Sequence, residues 1–340
     1  MQKLMHKRFI KIPVAVSLLC GGTVAAQSTS EVLTQMGHLI DDALFYSDKY
    51  ITPATDAAIY QASSGWVTTP KKRELWDVAI GVHTNIFFTP NRDRTFVINN
   101  SDLSFFSLEN GTSATVPTAV GNKDQVYLTG QLGDSEVRLK TPQGINRDVV
   151  AYPYLQGSVA LWYGTELIAK YSPKVQLKRS NYQVYGIGVK HNISQYFKKL
   201  EEKNFSLSVL AAYSKEDVNV EFLNVQTDYG TLGIDAINGL VDTWQFQING
   251  AKAWGNFELM GGFIVNTSNI EYRVSGERGS VEDILPLQDV LNKRLEEIYK
   301  TRVNYIGEVS AAYKIGKFNV QSILAFGKFV NANLSLHYLF

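Results

Sequence analysis

The chain has a single cysteine, Cys20, and none after it. That excludes disulfides, cysteine-based zinc sites and cysteine nucleophiles from everything downstream. Histidine is nearly as scarce. Beyond residue 26 only His38, His83, His191 and His337 remain, too scattered for paired metal ligands one helical turn apart. There is no G-x-S-x-G and no glycine-rich phosphate loop, so nucleophile-elbow hydrolases and nucleotide binders are not indicated. Basic and acidic residues nearly balance, 33 against 32, which leaves no electrostatic footprint for nucleic acid. Apolar residues make up 45% of the chain, yet no run after residue 26 is long enough for a membrane-spanning helix. Neither a metal set nor a cofactor motif nor a catalytic constellation is present, and the chain reads as a non-enzyme.

What is present begins with an export signal. Lys3, Lys7, Arg8 and Lys11 form a basic n-region, residues 12–22 a short apolar stretch, and Val24-Ala25-Ala26 a small-residue cleavage site before Gln27. Cys20 follows Leu19, a poor residue to precede a lipidated cysteine, so a lipoprotein anchor is not expected. Loss of residues 1–26 removes four of the 33 basic residues and no acidic one, leaving 29 against 32 and a net charge of −3.

Residues 27–74 are the one helical region before the strands. Ser28 and Glu31 are spaced as a capping box, and Val32, Leu33, Met36, Leu39, Ile40, Ala43 and Leu44 follow at helical spacing. Pro53 is placed to open a second helix over 54–62, ended by Ser63-Ser64-Gly65. An isolated apolar stripe needs a cover, and beside a barrel the expected role is a plug at its mouth.

From residue 75 to 340 apolar and polar residues alternate. Successive side chains of a strand point to opposite faces, so alternation marks a wall with one greasy and one wet side. Trp244, Phe246 and Ile248 against Gln245, Gln247 and Asn249 is the cleanest case. No Lys, Arg, Asp or Glu falls on the apolar faces, whereas Glu166, Lys170, Lys190, Glu258, Arg302 and Glu308 fall opposite. A Lys or Arg at the middle of a lipid-facing wall costs roughly 2–4 kcal/mol, so this segregation suits a membrane barrel. Tyr163, Phe205, Tyr213, Trp244, Phe257, Tyr313 and Phe318 lie at or near strand ends, where interfacial aromatic girdles belong.

The chain finishes N-A-N-L-S-L-H-Y-L-F. Ala332, Leu334, Leu336, Tyr338 and Phe340 share one face, with Leu339 the only break. A terminal Phe after apolar Leu336 and Tyr338 resembles the signal read by the outer-membrane barrel-assembly machinery.

Thirteen segments alternate, including short ones at 98–108, 125–130 and 136–140 in a polar, turn-rich stretch over 89–148. Single-chain bacterial barrels have even strand numbers, so fourteen strands are expected, with twelve as the fallback. With the C-terminus on the periplasmic side, the turns at 163–166, 253–256 and 314–317 and the segment 195–204 are periplasmic. Tyr196, Phe197 and Leu200 are placed to lie on the inner leaflet. The longer connections 215–240 and 275–300 are then external, and Leu287, Leu291, Leu295 and Ile298 mark a short amphipathic helix after Pro286.

Several stretches also carry a family resemblance: Asp41-Asp42-Ala43, Tyr50-Ile51-Thr52-Pro53, Ser64-Gly65-Trp66, Pro70-Lys71-Lys72, the hairpin Gly164-Thr165-Glu166-Leu167 running on to Tyr171-Ser172-Pro173-Lys174-Val175, and Gly186-Ile187-Gly188-Val189-Lys190-His191-Asn192-Ile193 leading into Phe205-Ser206-Leu207-Ser208. They cover about a sixth of the chain. The sequence resembles a family of bacterial outer-membrane barrels of unknown function, distantly similar to the long-chain fatty-acid transport barrels, which have fourteen strands and an N-terminal plug. The resemblance implies a fold, a location in the outer membrane and, less directly, a transport role.

Three organised regions are therefore expected: a signal peptide over 1–26, a helical plug over 27–74 and an all-β, transmembrane antiparallel barrel over 75–340. Glu166, Lys170, Lys190, Gln245, Gln247, Asn249, Arg302, Asn304 and Glu308 are the candidate lumen-lining residues. The leading function is a channel or transporter for small hydrophobic cargo, with outer-membrane lipid around it. One alternative is a scaffold or attachment protein acting through its outer loops. A lesser one is a lipid-modifying enzyme using His83 with a lumen serine.

Overall fold

The structure, a computed structural model, describes residues 17–177, 180–221, 226–227, 230–231, 234–277 and 286–340. The basic n-region and parts of the 215–240 and 275–300 connections lie outside these residues. Ten strands close into one antiparallel barrel: β1 (Val78–Phe88), β2 (Val149–Ala160), β3 (Thr165–Leu177), β4 (Ser180–Asn192), β5 (Phe205–Glu221), β6 (Ala236–Trp254), β7 (Phe257–Ser275), β8 (Lys300–Ile315), β9 (Phe318–Phe326) and β10 (Val330–Leu339). Each pairs with its neighbour in sequence, and β1 closes the ring on β10, with Val82 opposite Leu336.

The strand number is therefore ten, and not fourteen or twelve. Ten of the thirteen alternating segments build the wall, whereas those between 89 and 148 do not. There, Thr95–Asn99 pairs with Ser113–Pro117, and Ser107–Leu108 with Tyr127–Leu132, which pairs in turn with Ser135–Lys140. None of these strands exceeds six residues, too few to cross the wall, and β1 pairs directly with β2 past them. The segment 98–108 is also broken, because Asn99 and Asp102 form a capping box around a tight turn at Asn100–Asp102.

Three further boundaries differ from the sequence reading. β1 starts at Val78, since Trp76 takes a positive φ of 69° and the Asp77 carboxylate accepts the Glu74 N–H in a turn. β5 and β6 run on through much of 215–240, paired from Phe205 with Lys252 up to Glu221 with Ala236. The N-terminal region is one helix, α1 (Ser17–Ser63), which passes through Ser28 and contains Pro53. A proline there removes one helical bond, but packing along the rest of the helix outweighs that loss. A five-residue helix, α2 (Lys198–Glu202), lies in the 195–204 segment, and the amphipathic helix after Pro286 is α3 (Leu287–Leu295).

The wall's two faces swap character along its length. From the turn end up to Tyr213 and Trp244, the outward positions are mostly apolar and exposed, with Ile187 at 62% and Phe246 at 63%, while the inward ones are buried and largely polar, with Ile168, Leu210, Ala212 and Met260 among the exceptions. Above that line, on β4 to β7, the order reverses. Asn181, Gln183, Lys215, Asp217, Asn269, Glu271 and Arg273 take outward positions, and Val218, Val220, Ile237, Val241, Ile270 and Tyr272 are buried inside. These inner residues pack on Leu44, Tyr50, Ile51 and Ile59 of α1 and on Leu291 and Leu295 of α3. On β6 the outward positions from Trp244 to Trp254 are apolar except for Lys252 near the turn end, about the 9–11 residues a strand needs to cross a hydrocarbon layer.

Candidate functional site in the lumen and at its mouth

The lumen is occupied by the chain's own N-terminal segment. Asp48 of α1 pairs with Lys300, and Asp56 with Lys328 at 2.5 Å, both at the loop end. After Ser63 the chain continues as a strap, residues 64–70, toward the turn end. There Asn192 Nδ2 donates to the Pro70 carbonyl at 2.7 Å and Lys190 Nζ to that of Thr69 at 2.7 Å. The segment thus threads the ring from loop end to turn end.

Wall side chains grip this segment mostly by its backbone. Asn85 Nδ2 donates to the Gln61 carbonyl (2.9 Å), Gln245 Nε2 to Ser63 (3.0 Å), Gln156 Nε2 to Trp66 (3.0 Å), and Lys170 Nζ to both Ala62 (2.9 Å) and Ser64 (2.8 Å). In the opposite sense, the Gly65 N–H donates to Glu308 Oε2 at 3.0 Å. Side-chain contacts add Ser63 with Asn266 (2.7 Å) and Ser64 with Asn331 (2.8 Å). An unpaired buried polar group costs about 1–3 kcal/mol, so strap and wall are held together by mutual satisfaction. Trp66 is the one large side chain of the strap, fully buried with Ile168, Leu210, Ala212 and Met260.

Of the expected lumen residues, Lys170, Lys190 and Glu308 meet the strap and Gln245 the last residue of α1, while Gln247 Nε2 links to Asn249 Oδ1 (2.7 Å) and Glu308 Oε1 (3.3 Å). Glu166 and Lys190 pair at 2.5 Å, and Arg73, which the sequence reading did not single out, joins Glu166 at 2.9 Å. Asn304 donates to Asn266 at 3.0 Å. Arg302 lies at the open loop end, partly exposed, 3.8 Å from Asp56. Of the terminal residues, Leu336 and Phe340 are exposed on the outer face, and Tyr338 sits edge-on between the rings of Phe318 and Phe340. His83 is buried, stacked on Tyr154 with centroids 4.4 Å apart, and its Nδ1 bonds Asn333 Oδ1 at 3.0 Å.

At the mouth lies an apolar chamber of 130 Å³, which the sequence did not reveal. It is lined by Leu39, Tyr46, Phe106, Leu128, Leu139 and Leu291, so it needs α1, the 89–148 insert and α3 together. Asp42 fixes the insert against α1, its carboxylate accepting the N–H groups of Ser104, Phe105 and Phe106 at 2.7, 2.9 and 2.8 Å. Burial pushes the Tyr46 phenol well above its ordinary pKa, and Tyr50 beside it adds to the shift. Lys140 stands at the edge, near the Tyr127 ring. Among the described residues no cluster of metal-ligating side chains occurs.

With this geometry in hand, the comparisons give a family. Residues 3–340 match the profile of a family of unknown function, DUF6588, and the chain belongs to that family. No curated protein matches it. Similar solved structures include the translocator domain of the autotransporter NalP from Neisseria meningitidis, 9% identical with a TM-score of 0.32 over 84% of this chain and 95% of that one. The outer-membrane protease OmpT from Escherichia coli is 10% identical, TM-score 0.30, over 80% and 100%. A FadL homologue from Pseudomonas aeruginosa is 9% identical, TM-score 0.29, over 74% and 60%.

Proposed function

We propose that this protein is an outer-membrane barrel that takes up small hydrophobic molecules, with the turn end in the periplasm and α1 and its strap as the gate. The observation that carries the reading is the apolar chamber at the loop end, directly above a lumen closed by the chain's own N-terminal segment. A cavity of 130 Å³ compares with the roughly 150 Å³ that holds a benzene ring, so it takes a ring or a short acyl segment. Anything longer must displace part of α1 or the strap. Asp42 is committed to the insert, which leaves Lys140 as the charge facing a carboxylate head group, and a fatty acid is the class that fits best.

The apolar belt supports placement in a membrane. Exposed apolar patches on soluble monomers are normally limited to a few hundred Å², and this one encircles the barrel.

The test uses the absence of cysteine after residue 26. In the chain from Gln27 onward carrying Ser64→Cys and Asn331→Cys, oxidation ties strap to wall. Proteoliposomes of the reduced variant should take up a fluorescent fatty acid faster than protein-free vesicles, and oxidation should abolish the difference. Equal uptake in reduced, oxidised and protein-free vesicles overturns the proposal. It would favour the scaffold reading, for which the dense grip on the strap is the supporting observation.

A further inference from the structure

β2 and β3 have 12 and 13 residues, yet only six ladder pairs join them, from Leu155 with Tyr171 to Ala160 with Glu166. On its other side β2 is paired along its whole upper half, up to Val149 with Phe88. The backbone ladder between β2 and β3 therefore ends above Leu155 and Tyr171. Two prolines account for it. Pro153 and Pro173 lie just above the last pair, and neither has an N–H to give to a ladder. β3 also shifts register against β4 between Ser172 and Val175. The Ser172 hydroxyl donates to the Pro153 carbonyl at 2.9 Å, so part of the freed backbone is satisfied by a side chain.

The edges of this seam are apolar. Val149, Ala151, Pro153 and Leu155 are exposed on β2, and Tyr171 and Pro173 on β3, all in line with the outer belt. Behind it lies a second apolar recess of 60 Å³, lined by Val150 of β2 with Phe87, Ala57, Ala58, Ile145 and Tyr182. Exposed Lys174 follows Pro173 at the outer end, with the Asp217 carboxylate of β5 as its charged neighbour and no closer ion pair among the described residues. Its long stem can lie along the apolar edge with the ammonium at the interface.

We propose that this seam is a lipid site, taking one acyl chain of a phosphate-bearing outer-leaflet lipid between β2 and β3, with Lys174 on the phosphate. Continuity with the belt supplies the acyl chain, and the cation at the rim selects the anionic head group. The proposal rests on the membrane reading above.

Native mass spectrometry of the full chain released from bilayer nanodiscs tests it. Wild type should retain one phospholipid or lipid A mass. Pro153→Val with Pro173→Val, which restores both donors, should cut that retention at least fivefold, and Lys174→Glu at least threefold. Retention of free fatty acid alone, or equal lipid retention in all three proteins, overturns the proposal. If the double variant fails to fold, a bimane on Val150→Cys decides. Brominated lipid should quench it but not a bimane on Ala325→Cys, an inward position in the paired wall, and equal quenching overturns the seam. Protein that stays in solution without detergent would sink the membrane reading itself, whereas inserted protein without bound lipid sinks only the seam.

Discussion

Lys170 reaches from β3 to the end of α1, where its ammonium donates to the Ala62 and Ser64 carbonyls and stands 4.5 Å over the ring of Trp66. A helix leaves its last carbonyls without partners, and a cation there also meets the negative end of the helix dipole. Lys170 satisfies both demands from the wall, and so ties strap to barrel.

Removing that ammonium should therefore cost more than a packing change. Lys170→Met leaves the Ser64 carbonyl without its donor at about 1–3 kcal/mol, leaves the Ala62 carbonyl with only the Trp66 indole N–H at 2.8 Å, and strips Glu308 of a nearby cation. We expect a clear drop in the temperature at which the folded band converts on an SDS gel. Faster proteolysis of residues 60–70 should accompany it. An unchanged conversion temperature would show that the strap is held by other means.

Trp66 is seated against two glycines. A Cβ on Gly186 would lie 2.9 Å from the Trp66 ring and 2.6 Å from the Tyr213 carbonyl oxygen, and the second of these is backbone. Gly186→Ala should cost about 1–3 kcal/mol through overpacking. Gly261→Ala, which meets nothing within 4 Å, should be near neutral. Urea midpoints of the two variants, measured in the same vesicles, check the contrast.

The alternation in Trp244-Gln245-Phe246-Gln247-Ile248-Asn249 made the wall legible, because a strand exposes every second side chain to one environment. Lys170, Lys190 and Glu308 could be assigned to the inside for the same reason. The strand number was not legible, since Gln125–Gly130 alternates as convincingly as a wall strand. Only pairing partners, which are a property of the whole fold, exclude it. Nor could sequence show that Lys170 and Gln156 hold main-chain carbonyls, because the strap lies about 90 or more residues away in the chain. Pro153 and Pro173 are visible in the sequence, but their juxtaposition depends on the register of β2 against β3.

The reversal of face polarity near Trp244 gives a prediction about depth. Phe246 and Asn269 both point outward, on β6 and β7, on either side of the reversal. Phe246→Lys should destabilise the protein in lipid vesicles by roughly 2–4 kcal/mol, whereas Asn269→Lys should stay within about 0.5 kcal/mol. Folding titrations into vesicles measure both. Were this a soluble protein, the two exposed sites would respond alike.

Along α1 the acids Asp41, Asp48 and Asp56 meet bases at the loop end, and their settings differ. Asp41 and Arg294 are both about half exposed, an arrangement worth at most about 1 kcal/mol. Asp56 is buried, 2.5 Å from Lys328 and 3.8 Å from Arg302, with both bases still partly hydrated. Asp56→Asn should therefore loosen α1 more than Asp41→Asn, because a buried carboxylate is screened less than an exposed one. Its effect stays below the roughly 3–5 kcal/mol of a fully buried pair, since the stranded bases can be solvated. Hydrogen exchange over residues 44–60 reads the difference, with Asp56→Asn raising exchange there and Asp41→Asn leaving it close to wild type. Equal exchange in the two variants would mean that apolar packing of Tyr50, Ile51 and Ile59, and not the rim charges, seats the helix.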